Sequence, residues 1–507
     1  MIRTVLAGLR PTTVPGFRWS SKATAGALAA VGAAGMFSVL ATASGLVDLL
    51  GSGDDTVLLV TLGGLVGLAS SIGYSRIRPA ERIRDADVLG GITLCLLLLV
   101  LMVGTLHLLI GTTGSVVDAL TDATAGLTTT ALGVLSPDAT DHGGRFLRAG
   151  SQWVGGFGGL MVAVAVLPFF GAEREFSDRS RLRGRRPMAP NRRTAVRNIA
   201  YLHGVVSVGT WVGFTLAGLG AFDALLLAMA TVSTGGMVDG DPFASPAVQY
   251  VAIVGMAVTG TSLVVLWRLV VGRSRGLLRS VELRAYLGLL VIGTALLLVW
   301  TGGSGDGGVR WAAFTVTAAV TTTGFPSAPA GTWAAAAPVL LLGLVSIGPM
   351  TGSAGGGFQI MRHRALLQIA LREMVRQLHP RVVSKVRLGG RVVSEPTLSQ
   401  IVVVQFLVVS VVFATATVVA TMGLDLATAL GVAVHAISTA GPVRALDGSL
   451  LDPRDWSAPV RLAILPAMMI GRLSIYPAMV AASSTISVVR HRIRLRRRIR
   501  SYRGRTV

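Results

Sequence analysis

The stretch TTTGF, residues 321–325, lies within AAVTTTGFPSAP (318–329), between long apolar runs. Three β-branched threonines and a glycine lower helix propensity, and Pro326 follows at once. A helix crossing a membrane would not be interrupted in this way. The interruption also recurs. Aligned on the glycine position, Thr321-Thr322-Thr323-Gly324 is matched by Thr128-Thr129-Thr130-Ala131, Val232-Ser233-Thr234-Gly235 and Ser438-Thr439-Ala440-Gly441. Each follows a short apolar run, of about 10 residues or roughly 15 Å as helix, which is half the hydrocarbon thickness of about 30 Å. That is the length of a re-entrant segment, which enters a bilayer, stops near its middle and returns. Irregular backbone at that depth is tolerated only where it lines a water-filled path or is buried in protein.

The composition agrees. Of 507 residues, 52% are hydrophobic and only 14% charged, against roughly 25% charged in soluble domains, and the mean hydropathy is +0.66. Ten stretches are long enough to span a membrane: 24–50, 56–74, 88–111, 151–171, 199–220, 247–271, 285–301, 335–361, 397–422 and 458–489. The net charge of +22 does not mark a nucleic-acid protein. Basic clusters at 76–84, 174–197, 268–284, 362–391 and 490–505 all fall on one side of an alternating topology, and the acidic segments fall on the other. This is the positive-inside pattern, with both termini cytoplasmic and the arginines against anionic lipid. The lone cysteine, Cys95, excludes a disulfide within the chain.

A dehydrated monovalent cation needs its water shell replaced by oxygen ligands, which rings of backbone carbonyls provide. A half-helix entering from outside points its partly negative C-terminal end at the centre of the bilayer. Four such helices would favour a cation there. Asp118, Asp223 and Asp425 precede the short runs as N-cap candidates, and exterior aspartates would concentrate cations at the mouth. The seven histidines are scattered without ligand spacing, and no acid pair or nucleophile–base grouping is present, so an enzyme is not expected.

Several motifs, in order, resemble the TrkH/KtrB/HKT superfamily of cation transporters over about residues 88–489. They are SQWVGGFGG (151–159), STGGM (233–237), TTTGF, IGPMTGSAGGGFQIMR (347–362), AISTAGP (436–442) and MMIGRLSIYP (468–477). The resemblance implies an all-α polytopic membrane protein of four M1–pore helix–M2 repeats in pseudo-fourfold arrangement around one potassium-conducting pore. The repeats would occupy 88–171, 199–271, 285–361 and 397–490. An extra N-terminal helix pair (1–80), like that of the TrkH branch, precedes them, and a basic tail (491–507) follows. The implied filter is Thr129, Thr130, Ala131, Ser233, Thr234, Gly235, Thr322, Thr323, Gly324, Thr439, Ala440 and Gly441.

The implied gate is an intramembrane loop at 348–357, with Gly352, Ser353, Ala354, Gly355, Gly356, Gly357 and Arg472 beneath the filter. K⁺ is the implied cargo, without an organic cofactor. Also implied are a homodimer in the bacterial plasma (inner) membrane and a cytoplasmic nucleotide-binding ring of the TrkA/KtrA type. The sequence departs from the family at Ala131, where glycine is usual, at Thr439 in place of asparagine, and at Ser474 in place of glutamate. Alanine at a left-handed position would misdirect one carbonyl, so potassium, or potassium together with sodium, is the expected cargo. The competing readings are a secondary carrier for another solute and a scaffold or sensor with a degenerate pore. Carriers usually place ionisable groups at the midplane, where only Arg472 qualifies.

Overall fold

In a computed structural model, residues 20–474 are described except 52, 78–79, 81–82, 136–140, 164–191, 273–276, 301–307, 327–335, 383–384, 389–390 and 446–448. The basic tail and the later parts of the 151–171 and 458–489 stretches lie outside the described residues.

The chain is an all-α polytopic membrane protein. Its helices are α1 (Ser21–Leu50), α2 (Thr56–Arg76), α3 (Asp85–Leu109), α4 (Val116–Thr128), α5 (His142–Met161), α6 (Arg192–Leu216), α7 (Ala221–Ser233), α8 (Pro246–Thr259) and α9 (Leu263–Val270). They continue with α10 (Val281–Trp300), α11 (Gly308–Val320), α12 (Ala336–Ile347), α13 (Ile360–Leu378), α14 (Glu395–Thr421), α15 (Leu426–Ser438) and α16 (Ala458–Leu473). A two-stranded hairpin, β1 (Arg387–Leu388) and β2 (Arg391–Val392), lies between α13 and α14.

Among the described residues, α1, α2, α3, α6, α10 and α14 are long and apolar enough to cross a membrane. Two expected spans are broken. The 247–271 stretch is α8 and α9, bent by 104° at Gly260–Ser262, and the 335–361 stretch is helical only to Ile347, resuming at Ile360. The small residues at both breaks leave little side chain to pack a helix and let the backbone turn.

The packing of the helices repeats around a closed cycle. Each short helix packs on the long helix before it: α4 on α3, α7 on α6, α11 on α10 and α15 on α14. The helix after each short one packs on the short helix of the next unit: α5 on α7, α8 on α11, α12 on α15 and α16 on α4. The last contact joins the fourth unit to the first. Helices α1 and α2 pack on each other, and α1 packs on α3 and α5 outside this cycle. Buried Asp48, near the end of α1, fastens the pair. Its Oδ2 accepts from the Asp55 N–H and the Thr56 hydroxyl, each at 3.1 Å, and its Oδ1 accepts from the Gly143 N–H at 3.1 Å. One carboxylate therefore serves the N-termini of both α2 and α5, where backbone N–H groups lack helical partners.

Candidate functional site

The four short helices α4, α7, α11 and α15 each contain 13 residues, about 20 Å of helix. Each runs into a threonine in the left-handed conformation: Thr129 (φ 56°), Thr234 (φ 56°), Thr322 (φ 58°) and Thr439 (φ 48°). Helices commonly end on a left-handed residue, but that residue is usually glycine, and for a β-branched side chain the conformation is an outlier costing about 1–2 kcal/mol. Hydrogen bonds hold it there. Thr130 N–H reaches Ala125 O at 2.8 Å, Gly235 N–H reaches Ala230 O at 2.8 Å, and Ala440 N–H reaches His435 O at 3.0 Å, while the left-handed threonine itself bonds back in every unit. Only six non-glycine residues with positive φ occur among the described residues. The other two are Gln359, at the start of α13, and Ser474, just after α16. Strain of this kind clusters where function requires it.

These threonines correct the register of the second segment. Thr234 corresponds to Thr129, Thr322 and Thr439, so Ser233 is the last helical residue and Gly236, not Gly235, corresponds to Ala131, Gly324 and Gly441. The four corresponding positions form a ring. A Cβ at Gly236 would meet Ala131 Cβ at 2.8 Å and Gly324 O at 3.2 Å, one at Gly324 would run into the Gly441 carbonyl, and one at Gly441 would meet Ala131 O at 2.6 Å. Gly236 and Gly324 have φ of 71° and 66°, while Ala131 and Gly441 are not left-handed. The expected torsional cost at Ala131 is therefore absent. Its methyl instead projects between two residues that have no side chain.

Thr130 and Thr323 carry hydroxyls bonded to Thr128 and Thr321 at 2.9 and 2.8 Å. At the corresponding places, Gly235 and Ala440 have no hydroxyl. The Thr129 and Thr439 hydroxyls are buried and have no hydrogen-bond partner among the described residues. The Thr322 hydroxyl accepts from Gly356 N–H at 2.8 Å, and Thr234 lies 3.4 Å from Ala354 O. Four helix C-termini, their carbonyls and these hydroxyls thus converge on one place, which is oxygen-rich and carries partial negative charge.

The glycine-rich loop joining α12 to α13 lies directly against the threonine turns of the second, third and fourth segments. Gly357 N–H donates to Ser438 O at 2.9 Å, and a Cβ at Gly355 would meet Thr322 Oγ1 at 3.0 Å. Three other elements hold the loop. The break in the α8–α9 pair receives Met350 N–H at Gly260 O (3.1 Å) and sends Leu263 N–H to Gly352 O (3.0 Å). Glu282, at the start of α10, accepts Thr351 N–H at 2.6 Å. Arg472 donates through Nη1 to Ala354 O at 3.1 Å and through Nε and Nη2 to Gly155 O at 3.2 and 2.8 Å. Ser353 bonds within the loop, to Met350 O at 2.7 Å. The sequence reading missed Gly236, Glu282 and the Gly260 break. The triplet Gly260-Thr261-Ser262 in an otherwise apolar stretch was an available signal for the last.

The aspartates differ from the expected caps. Asp425 does cap α15, accepting from the Ala427 and Thr428 N–H groups at 3.0 Å each. Hydrogen bonds from Thr428 hold its carboxyl below the usual range. Asp118 and Asp223 sit inside the first turn and are ion-paired, to Arg461 at 2.6 Å and Arg145 at 2.7 Å. Each carboxylate is thus paired with a guanidinium from a distant element.

Residues 305–488 match the TrkH family, described as cation transport proteins. The Trk system potassium uptake protein TrkH of Escherichia coli (strain K12) is 30% identical over 388 residues, covering 73% of this chain and 79% of its own length. The chain belongs to the TrkH family. It is therefore a transport protein and not an enzyme. The Trk system potassium uptake protein TrkI of Halomonas elongata is 26% identical over 383 residues, 72% of this chain and 77% of its own. The crystal structure of the potassium transporter TrkH from Vibrio parahaemolyticus matches with a TM-score of 0.80 at 23% identity, over 91% of this chain and 98% of that one. This TrkH-family chain shares that fold.

Proposed function

We propose that the chain carries potassium, or potassium together with sodium, across the bacterial plasma membrane through the ring formed by Ala131, Gly236, Gly324 and Gly441 and the threonines beneath it. The observation that carries this reading is the set of four left-handed threonines, one at the end of each short helix. A costly conformation repeated once in each unit suits the turning of successive carbonyls toward one axis. The units 88–171, 199–271, 285–361 and 397–490 each contribute one quarter. Their aspartate-bearing ends face outward, and both termini face the cytoplasm. The names of the relatives support potassium as the cargo. The membrane potential contributes about 2.3 kcal/mol per charge per 100 mV, so inward flow needs no hydrolysis by this chain.

The loop at 348–357 acts as the gate. It touches the third and fourth filter segments and is held by Arg472, whose charge is turned into hydrogen bonds with Ala354 and Gly155 instead of standing free in the path. A homodimer and a cytoplasmic nucleotide-binding ring of the TrkA/KtrA type complete the system, with basic α13, directly after the gate, as the facing element. Rubidium uptake into proteoliposomes, with any cytoplasmic partner supplied, tests the reading. Uptake competed by potassium is expected; folded protein that moves no alkali cation would sink it.

A further inference from the structure

The aspartate-bearing end of the pathway carries a buried chain of polar groups that the filter and gate do not use. Asp122 lies within α4, and its Oδ1 accepts the N–H groups of Val134 and Leu135, just after the first filter segment, at 3.1 and 3.3 Å. Its Oδ2 faces Arg148 Nε at 3.7 Å. Neither of these two atoms has a hydrogen-bond partner among the described residues. Arg148 Nη1 donates to Asp239 Oδ1 at 3.1 Å, three residues beyond Gly236, and Arg145 Nε donates to Asp239 Oδ2 at 3.0 Å. One turn further along α5, the buried amide of Gln152 grips Met237 from both sides. Its Nε2 donates to Met237 O and its Oε1 accepts from Met237 N–H, each at 3.1 Å. Arg145, Arg148 and Gln152 fall at i, i+3 and i+7, on one face of the helix. That face therefore grips the outgoing strand of the second filter segment, and its Arg148 stands against Asp122, the α4 carboxylate that holds the outgoing strand of the first. Between those strands, Ala131 meets Gly236.

We propose that Asp122, Arg148, Asp239 and Gln152 form a clasp that fixes the spacing of the ring on its Ala131–Gly236 side and so sets which alkali cation passes. These are positioning residues, since none of them contributes an atom to the ring. The inference rests on the transport reading. Discrimination between potassium and sodium depends on where the carbonyl oxygens are held. The Ala131 side is where a methyl projects and Gly236, Gly324 and Gly441 have none, so it is the side where external restraint has most effect. A loosened clasp lets the carbonyls close around the smaller ion, and selectivity falls before transport is lost.

The test measures rubidium and sodium uptake side by side in proteoliposomes of the full chain. Arg148→Gln and Asp239→Asn are each expected to lower the rubidium-to-sodium ratio about tenfold, equivalent to about 1.4 kcal/mol of discrimination. Both break the Arg148–Asp239 contact, and each also loses a second partner, Asp122 or Arg145, so the double variant should fall by less than the sum of the two singles. The exposed pair Arg454–Asp452, cut by Arg454→Gln, should leave the ratio unchanged. Reduced total uptake at an unaltered ratio would overturn the clasp, as would losses that add in the double variant. Should Arg148→Gln not yield folded protein, Arg148→Lys decides. It keeps the charge and loses the planar fork, so a lowered ratio supports the clasp and an unaltered one refutes it. Wild-type protein that takes up no rubidium would overturn the transport reading, and the clasp with it. By contrast, normal wild-type uptake with unaltered variant ratios would overturn the clasp alone.

Discussion

Replacing Arg472 by glutamine removes the three hydrogen bonds through which it ties the 348–357 loop, the proposed gate, to α5. The bond to Ala354 O, at 3.1 Å, is the one that holds the loop itself. A hydrogen bond to a charged group contributes about 1.5–3 kcal/mol, and each 1.4 kcal/mol is a factor of ten. Loss of that bond should therefore raise the released population of the loop by about 10- to 150-fold. Where the closed loop limits transport, rubidium uptake into proteoliposomes rises by at least about tenfold. Removing a positive charge from the path would also raise cation flux, so charge and tether must be separated. Arg472→Lys keeps the charge but cannot span Ala354 O and Gly155 O with a planar fork. If the tether governs the gate, both variants raise uptake. Elevated uptake in Arg472→Gln with wild-type uptake in Arg472→Lys would refute the gating role and leave a purely electrostatic one.

Other outcomes follow from the same geometry. Gly324→Ala adds a methyl at φ 66°, against the Gly441 backbone, and should reduce rubidium uptake at least about a hundredfold, since backbone on both sides leaves the ring no room to adjust; near-normal uptake would remove Gly324 from the ion path. Ala131→Gly removes the methyl between Gly236 and Gly441 and should raise the potassium-to-sodium flux ratio; an unchanged ratio would deny this position any part in selectivity. Asp425→Ala removes the cap of α15 and should cost about 1 kcal/mol, read as a lower thermal midpoint in detergent. The carboxyl of Asp425 is held below its ordinary value of 3.8 by Thr428, so this stabilisation is complete above that pH and is lost as pH falls through the lower folded value. The difference in thermal midpoint between wild type and Asp425→Ala should accordingly shrink in strong acid and be constant near neutrality.

The sequence was most legible where local chemistry and fold agree. A threonine run with glycine in an apolar chain allows few interpretations, and the short helices preceding the four such segments are present in the structure with one common length. The second segment was misaligned by one residue because it offers two adjacent glycines, Gly235 and Gly236, and only the left-handed turn at Thr234 shows which of them joins the ring. The aspartates were legible as helix-start residues, yet Arg461 and Arg145 come from distant elements, so their pairing is a tertiary fact. Likewise Gly260 and Glu282 reveal their partners in the glycine-rich 348–357 loop only when α8, α9 and α10 are packed. Ala131 stands out in the sequence as an alanine where glycine is expected, and the left-handed backbone expected there is not found. The contact of its methyl is what distinguishes it.

In the proposed pathway the four threonine segments jointly hold a dehydrated cation. Soaking the purified protein with thallium or rubidium and locating the anomalous scatterer tests it most directly. Density is expected on the axis shared by Thr129, Thr234, Thr322 and Thr439, within coordinating distance of backbone carbonyls from all four units, and competed away by potassium. An empty axis, or density bound by a single unit away from these threonines, would contradict it.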